Sequence, residues 1–345
     1  MTTRRALLAA PMLFLPRLRG ADCSRARLAL NTGTSPRLLR LAKQLGLEWA
    51  DMGERPRALF PPPGQVPKGS AVGLTVEEIR KTKAAVESFG LKIAIMRLPS
   101  APNVILGTKD RDRDIEIVQE SIRTAGGERI PVLEYNWQIL RASAGYFAAE
   151  GRGGTKLRAF DYDRIRRDPP IAEFAGITRD ELFARLAYFL KAVVPVAEKE
   201  GVRLALHPND PPVESYRGIP LPVRTADDLR RVTGVVDSPS NGITMDTGVM
   251  RETGADSVAL IREFGRRDRI NHIHFRNVRV AEPFNRYTET FLEEGDVDMK
   301  AAMRAICEIG YAQGIVPDHS PHLDNDSDDQ LAGWSYAIGY MKALM

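Results

Sequence analysis

The 345-residue chain predicts a (β/α)₈ TIM barrel folded as a single domain, and three observations lead there. Eight short runs rich in Val, Ile and Leu recur along the chain, helical segments alternate with them, and ligand-type side chains stand where the late runs end. Strand–helix alternation implies a parallel sheet, and eight such units are the number that closes a barrel. A doubly wound sheet is the competing architecture. The barrel is preferred because polar chemistry recurs after four successive late runs, which a closed ring gathers at one mouth.

Each unit has its own warrant. The run at 27–30 leads into apolar spacing of helical period at 36–45, and the run at 47–51 precedes a helix at 76–89. That helix opens on Thr75 with Glu78 three residues on, a capping box, and stops before Gly90. The run at 91–96 is followed by a helix at 113–124. The run at 130–135 is followed by one at 179–199, which opens on a second capping box, Thr178 and Glu181. Gly201 ends that helix just before the run at 202–206, whose helix lies at 226–232. The last three runs, 242–245, 270–274 and 314–316, are paired with helices at 257–266, 299–309 and 330–344, with Gly310 closing the second of these.

Two connections exceed what a barrel needs. Residues 53–73, after strand 2, hold Pro56, Pro61, Pro62, Pro63 and Pro67. Residues 136–177, after strand 4, hold Gly151-Arg152-Gly153-Gly154 and Phe160-Asp161-Tyr162-Asp163. Structureless loops of such length in a compact domain are usually lids or binding loops, and both would overhang the mouth.

An apolar fraction of 43% with 27% charged residues fits a globular enzyme, and the net charge of +4 is small. No basic stripe interleaves with aromatics, so nucleic acid is not expected as a partner. Cys23 and Cys307 stand in such different contexts that no disulfide is expected. Arg4 and Arg5 precede an apolar run from Ala6 to Pro16, too short to span a bilayer but suited to a signal-peptide core of twin-arginine type. Residues 1–22 are therefore expected to be an export segment and 23–345 the catalytic barrel. The expected location is the periplasm or beyond, with the cytoplasm as the alternative. No other stretch is apolar and long enough to cross a membrane.

All five histidines lie between residues 207 and 322. His207 closes one strand, Asp246 another, His272 and His274 share a face near the end of a third, and Asp318-His319 follow a fourth. Each alone is compatible with turn or capping chemistry. Together, imidazoles and carboxylates arriving one strand end at a time form a mixed nitrogen and oxygen donor set. Such a set suits Mn²⁺, Fe²⁺, Co²⁺, Ni²⁺ or Zn²⁺ better than Mg²⁺. A metal with open positions would act as a Lewis acid on a hydroxy acid or hydroxy ketone.

Several stretches carry a family resemblance: 193–198, His207-Pro208-Asn209-Asp210-Pro211-Pro212, Asn241-Gly242-Ile243-Thr244, Thr247-Gly248, His274-Phe275-Arg276-Asn277, 294–299 and Pro317-Asp318-His319. Upstream, Arg111-Asp112, Tyr135-Asn136 and the loop at 157–161 add to it. In content, order and spacing these resemble mannonate dehydratase, over most of residues 45–345. The resemblance implies a TIM barrel that binds Mn²⁺ at its strand ends and dehydrates D-mannonate to 2-keto-3-deoxy-D-gluconate, a hydro-lyase of hexuronate catabolism. It implies His207, His274 and Asp318 as metal ligands, His319 as acid/base, and Arg276 on the substrate carboxylate. Asn209, Asp210, Asn277 and Tyr135 are implied as further substrate contacts. The partner is then a small sugar acid, and a homodimer is left open.

Two departures stand out. Asp246 occupies the place of the family's Cys, which keeps a negative metal ligand but makes it hard instead of soft. The family's Pro-Gly-Tyr is here Ala332-Gly333-Trp334, with Tyr336 two residues on as the replacement for the catalytic Tyr. Two alternatives remain: a divalent-metal sugar isomerase or epimerase of the xylose-isomerase-like barrel type, and a non-catalytic exported sugar-acid-binding protein.

Overall fold

The computed structural model describes residues 23–53, 66–324 and 326–345. Eight parallel strands close into a barrel: β1 (Arg27–Asn31), β2 (Trp49–Met52), β3 (Lys92–Arg97), β4 (Val132–Asn136), β5 (Arg203–His207), β6 (Asn241–Asp246), β7 (Ile270–His274) and β8 (Gly314–Val316). Each strand pairs with its neighbours in sequence, and β8 returns to β1 with Arg27 opposite Gly314. Every predicted run overlaps one of these strands, and closure decides against the doubly wound alternative.

The outer helices begin and end as their sequences dictate. Both capping boxes form: Thr75 with Glu78 before Val76–Glu87, and Thr178 with Glu181 before Arg179–Lys199. Gly90, Gly201 and Gly310 take positive φ at the turns into the next strand, which a side chain would oppose. The main core lies between barrel and helices, with Leu30, Leu206, Ile243 and Ile273 fully enclosed. Inside the barrel a separate patch, Ile95, Val132 and Ala205, closes the space beneath the mouth. Val132 and Glu134, like Ala205 and His207, lie two apart on their strands, so each pair shares a face.

The long connection after β4 is not structureless. It contributes strands Tyr146–Glu150 and Lys156–Asp161 to a four-stranded antiparallel sheet. The other two strands, Val278–Glu282 and Arg286–Glu289, come from a second excursion after β7 that the apolar runs did not predict. Arg286 lies opposite Asp161, so the two excursions are joined strand to strand, and Phe160 stacks on Tyr287 at 5.3 Å. Each excursion is a hairpin, Tyr146–Glu150 with Lys156–Asp161 and Val278–Glu282 with Arg286–Glu289, and the pairing that joins the two hairpins spans more than a hundred positions, which leaves no local signal. Of the proline-rich loop after β2, residues 54–65 lie outside the described residues.

The cysteine expectation is also overturned. Cys23 and Cys307 are joined as a disulfide with Cα atoms 4.6 Å apart. Cys23 stands just ahead of β1, Cys307 lies near the end of helix Met299–Glu308, and barrel closure brings the two ends of the chain together. The export segment at 1–22 lies outside the described residues, and among those described no helix is long and apolar enough to cross a membrane.

Candidate active site

Four side chains converge at the carboxyl ends of β5 to β8. His207 Nε2 lies 3.2 Å from His274 Nδ1, and Asp246 Oδ2 is 3.6 Å from each of these nitrogens. Asp318 Oδ1 is 3.2 Å from His274 Nδ1. His207 Nδ1 sits 2.6 Å from the carbonyl of Pro208, which places its proton there and leaves a lone pair on Nε2. Asp246 divides its two oxygens. Oδ1 accepts from Val249 N–H at 2.7 Å, capping helix Thr247–Glu252, while Oδ2 faces the imidazoles. Donor atoms of Asp246, His274 and Asp318 lie within 4.8 Å of one another, as do those of Glu134, His207 and His274.

Burial works against ionising Asp246 and Asp318, yet Arg276 and the histidines hold both carboxyls well below the usual range. Burial likewise opposes a proton on His274, but Asp318, Glu134 and Asp246 raise its pKa well above the ordinary value. Two imidazoles and two carboxylates facing one another make a mixed nitrogen and oxygen donor set. The residues present therefore fit a divalent metal with nitrogen and oxygen preference.

Arg276 is only 1% exposed. Its guanidinium reaches Glu289 at 2.6 Å, Glu252 at 3.1 Å, Asp246 at 3.3 Å and Asp318 at 3.6 Å. Gly248 makes room for it, since a Cβ there would stand 2.9 Å from Arg276 Nε. Burial pushes the Glu252 carboxyl well up, although Arg276 opposes this, because Asp210, Asp246 and Glu289 crowd it with like charge.

Beside the cluster opens a cavity of about 440 Å³, walled by the antiparallel sheet through Tyr146, Lys156, Arg158 and Glu289 and by the segment after β8 through His319, His322 and Trp334. His319 Nδ1 lies 2.8 Å from Glu289 Oε2 and 3.2 Å from Asp318 Oδ2, so the imidazole stands between cluster and cavity. Arg158 Nη1 is 2.7 Å from Glu289 Oε1 and 3.0 Å from His319 Nδ1.

His207, Asp246, His274, Asp318 and His319 are thus brought together, while other predicted residues are placed differently. Arg276, expected on a substrate carboxylate, touches the cluster and is enclosed by the carboxylates of Asp246, Glu252, Glu289 and Asp318. Tyr135 points away from the mouth and packs on Phe189, at 6.0 Å between rings. Asn209 bonds Trp137 O, Gln138 Oε1 and Val223 N, and Asn277 bonds Leu292 O, Val297 O and Val297 N, so both amides shape loops. Asp210 accepts from Tyr146 and Arg141 and lies 3.9 Å from both Arg158 and Arg276. Tyr336 does not line the cavity. Its hydroxyl bonds Glu293 and Arg152 at the surface, and Trp334 takes the inward position. Glu134, Arg158 and Glu289 were missed, since a charged residue within an alternating strand ordinarily reads as a solvated face.

The closed ring with its donor cluster at the strand ends defines a (β/α)₈ barrel with a candidate metal site at its mouth. A Xylose isomerase domain protein from Planctomyces limnophilus superimposes with a TM-score of 0.55 at 16% identity, over 93% of this chain and 96% of that one, a likeness of fold alone. The D-mannonate dehydratase (UxuA) family profile matches residues 155–345. The mannonate dehydratase of Enterococcus faecalis is 31% identical over 314 residues, 78% of this chain and 86% of that protein. The crystal structure of mannonate dehydratase from Streptococcus suis serotype 2 superimposes with a TM-score of 0.78 at 26% identity, covering 93% and 95% of the two chains. The chain belongs to the mannonate dehydratase family.

Proposed function

We propose that the protein is a metal-dependent hydro-lyase that converts D-mannonate to 2-keto-3-deoxy-D-gluconate. The observation that carries this reading is the convergence of His207 Nε2, His274 Nδ1, Asp246 Oδ2 and Asp318 Oδ1 beside an imidazole that faces a cavity. These four residues would hold the metal; the mixed donor set suits a divalent transition metal, and the family resemblance points to Mn²⁺ among Mn²⁺, Fe²⁺, Co²⁺, Ni²⁺ and Zn²⁺. When bound, the metal supplies Lewis acidity that makes the proton next to a carboxylate easier to remove.

The chain's own groups do the rest. In the elimination the C2 proton is removed, the C2–H electron pair becomes the C2=C3 bond, and the C3 hydroxyl leaves as water. The resulting enol ketonises. His319, oriented by Glu289 and open to the cavity, moves a proton at C2 or at the departing hydroxyl. Arg158 and Lys156 on the cavity wall supply positive charge for the substrate carboxylate, the role the enclosed Arg276 does not fill. Trp334 gives this wall an apolar face where an acidic phenol would otherwise stand.

Export is part of the same proposal. The Cys23–Cys307 bridge supports an oxidising compartment, in keeping with the arginine-led apolar segment ahead of it. A homodimer is proposed as the assembly, tested by light scattering.

The test of the activity is to reconstitute the metal-stripped protein with Mn²⁺ and supply D-mannonate, other aldonic acids and ketoses. Appearance of a 2-keto-3-deoxy acid from mannonate supports the proposal. Interconversion of ketoses in its place, or ligand-induced stabilisation without any turnover, overturns it. An N-terminal sequence of the mature protein beginning near residue 23 supports export, and one beginning at residue 1 or 2 refutes it.

A further inference from the structure

We infer that Glu134 is a positioning residue for the metal centre: it fixes the tautomer of His274, so that Nδ1 carries the lone pair and faces the other ligands. The inference rests on the metal site proposed above.

His274 lies at the end of β7 with its two ring nitrogens facing different neighbours. Nδ1 looks toward His207, Asp246 and Asp318, at 3.2, 3.6 and 3.2 Å. Nε2 looks into the barrel, 3.4 Å from Glu134 Oε1. A neutral imidazole has one protonated nitrogen and one lone pair, and a carboxylate beside one nitrogen selects the tautomer with the proton there. When a metal engages Asp318 and Asp246, which lie 3.2 and 3.6 Å from Nδ1, Glu134 at 3.4 Å from Nε2 is the carboxylate left to take the ring proton, and the lone pair falls on Nδ1. His207 obeys the same logic with the carbonyl of Pro208 as its acceptor.

Glu134 is itself held from three strands. Arg97 on β3 reaches its Oε2 at 2.7 Å, Thr244 on β6 donates to its Oε1 at 2.7 Å, and β4 carries it. Arg97 is in turn anchored on Gly53 O at 2.6 Å and on Asn136 Oδ1 at 3.1 Å.

The alternative is that Glu134 is itself a metal ligand, since its oxygen also lies within 4.8 Å of donors on His207 and His274. Against this, among the described residues Glu134 falls in no donor group with Asp246 or Asp318, and its Oε1 lies 3.4 Å from the other ring nitrogen of His274, not the one beside those two carboxylates.

The experiment uses Zn²⁺-loaded, ¹⁵N-histidine-labelled protein and reads the ring nitrogens of His274 by NMR. The expected result is zinc on Nδ1 with the proton on Nε2; zinc on Nε2 overturns the inference. In parallel, Mn²⁺ affinity of Glu134→Ala is measured against a chelating dye, with the thermal midpoint of the metal-free protein as a separate readout. Weakening of about 10- to 100-fold beyond any change in midpoint supports the positioning role. Unchanged affinity with a lowered midpoint reduces Glu134 to a structural part and overturns it. If the variant does not fold, the wild-type spectrum still decides. A wild-type chain that bound neither metal would overturn the metal centre first, and this inference with it.

Discussion

Arg158 and Arg276 grip the same oxygen, Glu289 Oε1, from opposite sides, at 2.7 and 2.6 Å. One guanidinium belongs to the cavity wall and the other is sealed below it. Their consequences should therefore separate. Arg158→Ala is expected to raise KM for mannonate about tenfold or more, the loss of a charge-assisted contact, with a small change in thermal midpoint. Arg276→Ala leaves buried carboxylates without a counter-charge and should destabilise the fold by about 3–5 kcal/mol. Denaturant titrations and steady-state kinetics on both variants check the split, and equal effects on KM would refute it.

His207→Ala removes one of the four converging donors while leaving the barrel strand intact. The purified variant should carry less than about a tenth of the wild-type metal content, given the cost of a lost ligand. Elemental analysis after matched dialysis is the measurement, and an unchanged metal content would remove His207 from the ligand set.

Asp246→Cys exchanges a hard donor for a soft one at the position where this chain leaves its family's pattern. The ratio of Zn²⁺ to Mn²⁺ affinity should rise by about an order of magnitude or more. The same variant loses the oxygen that caps helix Thr247–Glu252 through Val249 N–H, a cost of about 1 kcal/mol. Competition titrations with the two metals test the first effect and thermal melts the second.

Cys23→Ser with Cys307→Ser, or reduction of the wild type, should lower stability by about 2–4 kcal/mol through the freer unfolded chain. Melting with and without reductant gives the answer, and identical curves would show the bridge to be energetically idle.

Asp228 offers a pH-dependent test far from the metal cluster. Burial alone would raise its pKa, but backbone N–H groups of Arg224 and Thr225 and the Arg179 guanidinium lower it below the ordinary carboxyl value. A carboxyl depressed in the folded state stabilises the protein above its unfolded pKa, near about 3.9, and loses that stabilisation as pH falls through the folded value. Asp228→Asn should therefore cost about 1 kcal/mol at neutral pH, as for a lost cap, and almost nothing near pH 2. Urea midpoints of the two proteins across this range make the comparison.

How far the sequence was legible depends on how local each signal is. The barrel strands, the capping boxes and the glycine stops are written in adjacent residues, so their order and number could be read directly. The ligand cluster was legible because a barrel places successive strand ends at one mouth, making His207, Asp246, His274 and Asp318 neighbours by topology. The cavity wall was not, because Arg158 meets Glu289 only through pairing between two distant excursions. Nor was the side to which a residue points. Tyr135 and Glu134 are adjacent on β4, and only the strand's phase separates a ring packed on Phe189 from a carboxylate beside His274. The cysteines failed for the opposite reason, since dissimilar local contexts say nothing about two chain ends that a closed ring brings together.

The antiparallel sheet divides the protein's labour in time as well as in space. Its halves are hairpins that leave the barrel after β4 and after β7, with three barrel strands between them, and they join to each other across that gap. A nascent chain can lay down β1 to β4 and the hairpin of Tyr146–Glu150 with Lys156–Asp161, yet the second edge of Lys156–Asp161 has no partner until Arg286–Glu289 has been made. Glu289, which orients His319, arrives on the later half. The ligand-bearing rim and the vestibule above it are thus assembled last and together, so a partly folded chain has no finished place in which to begin the chemistry.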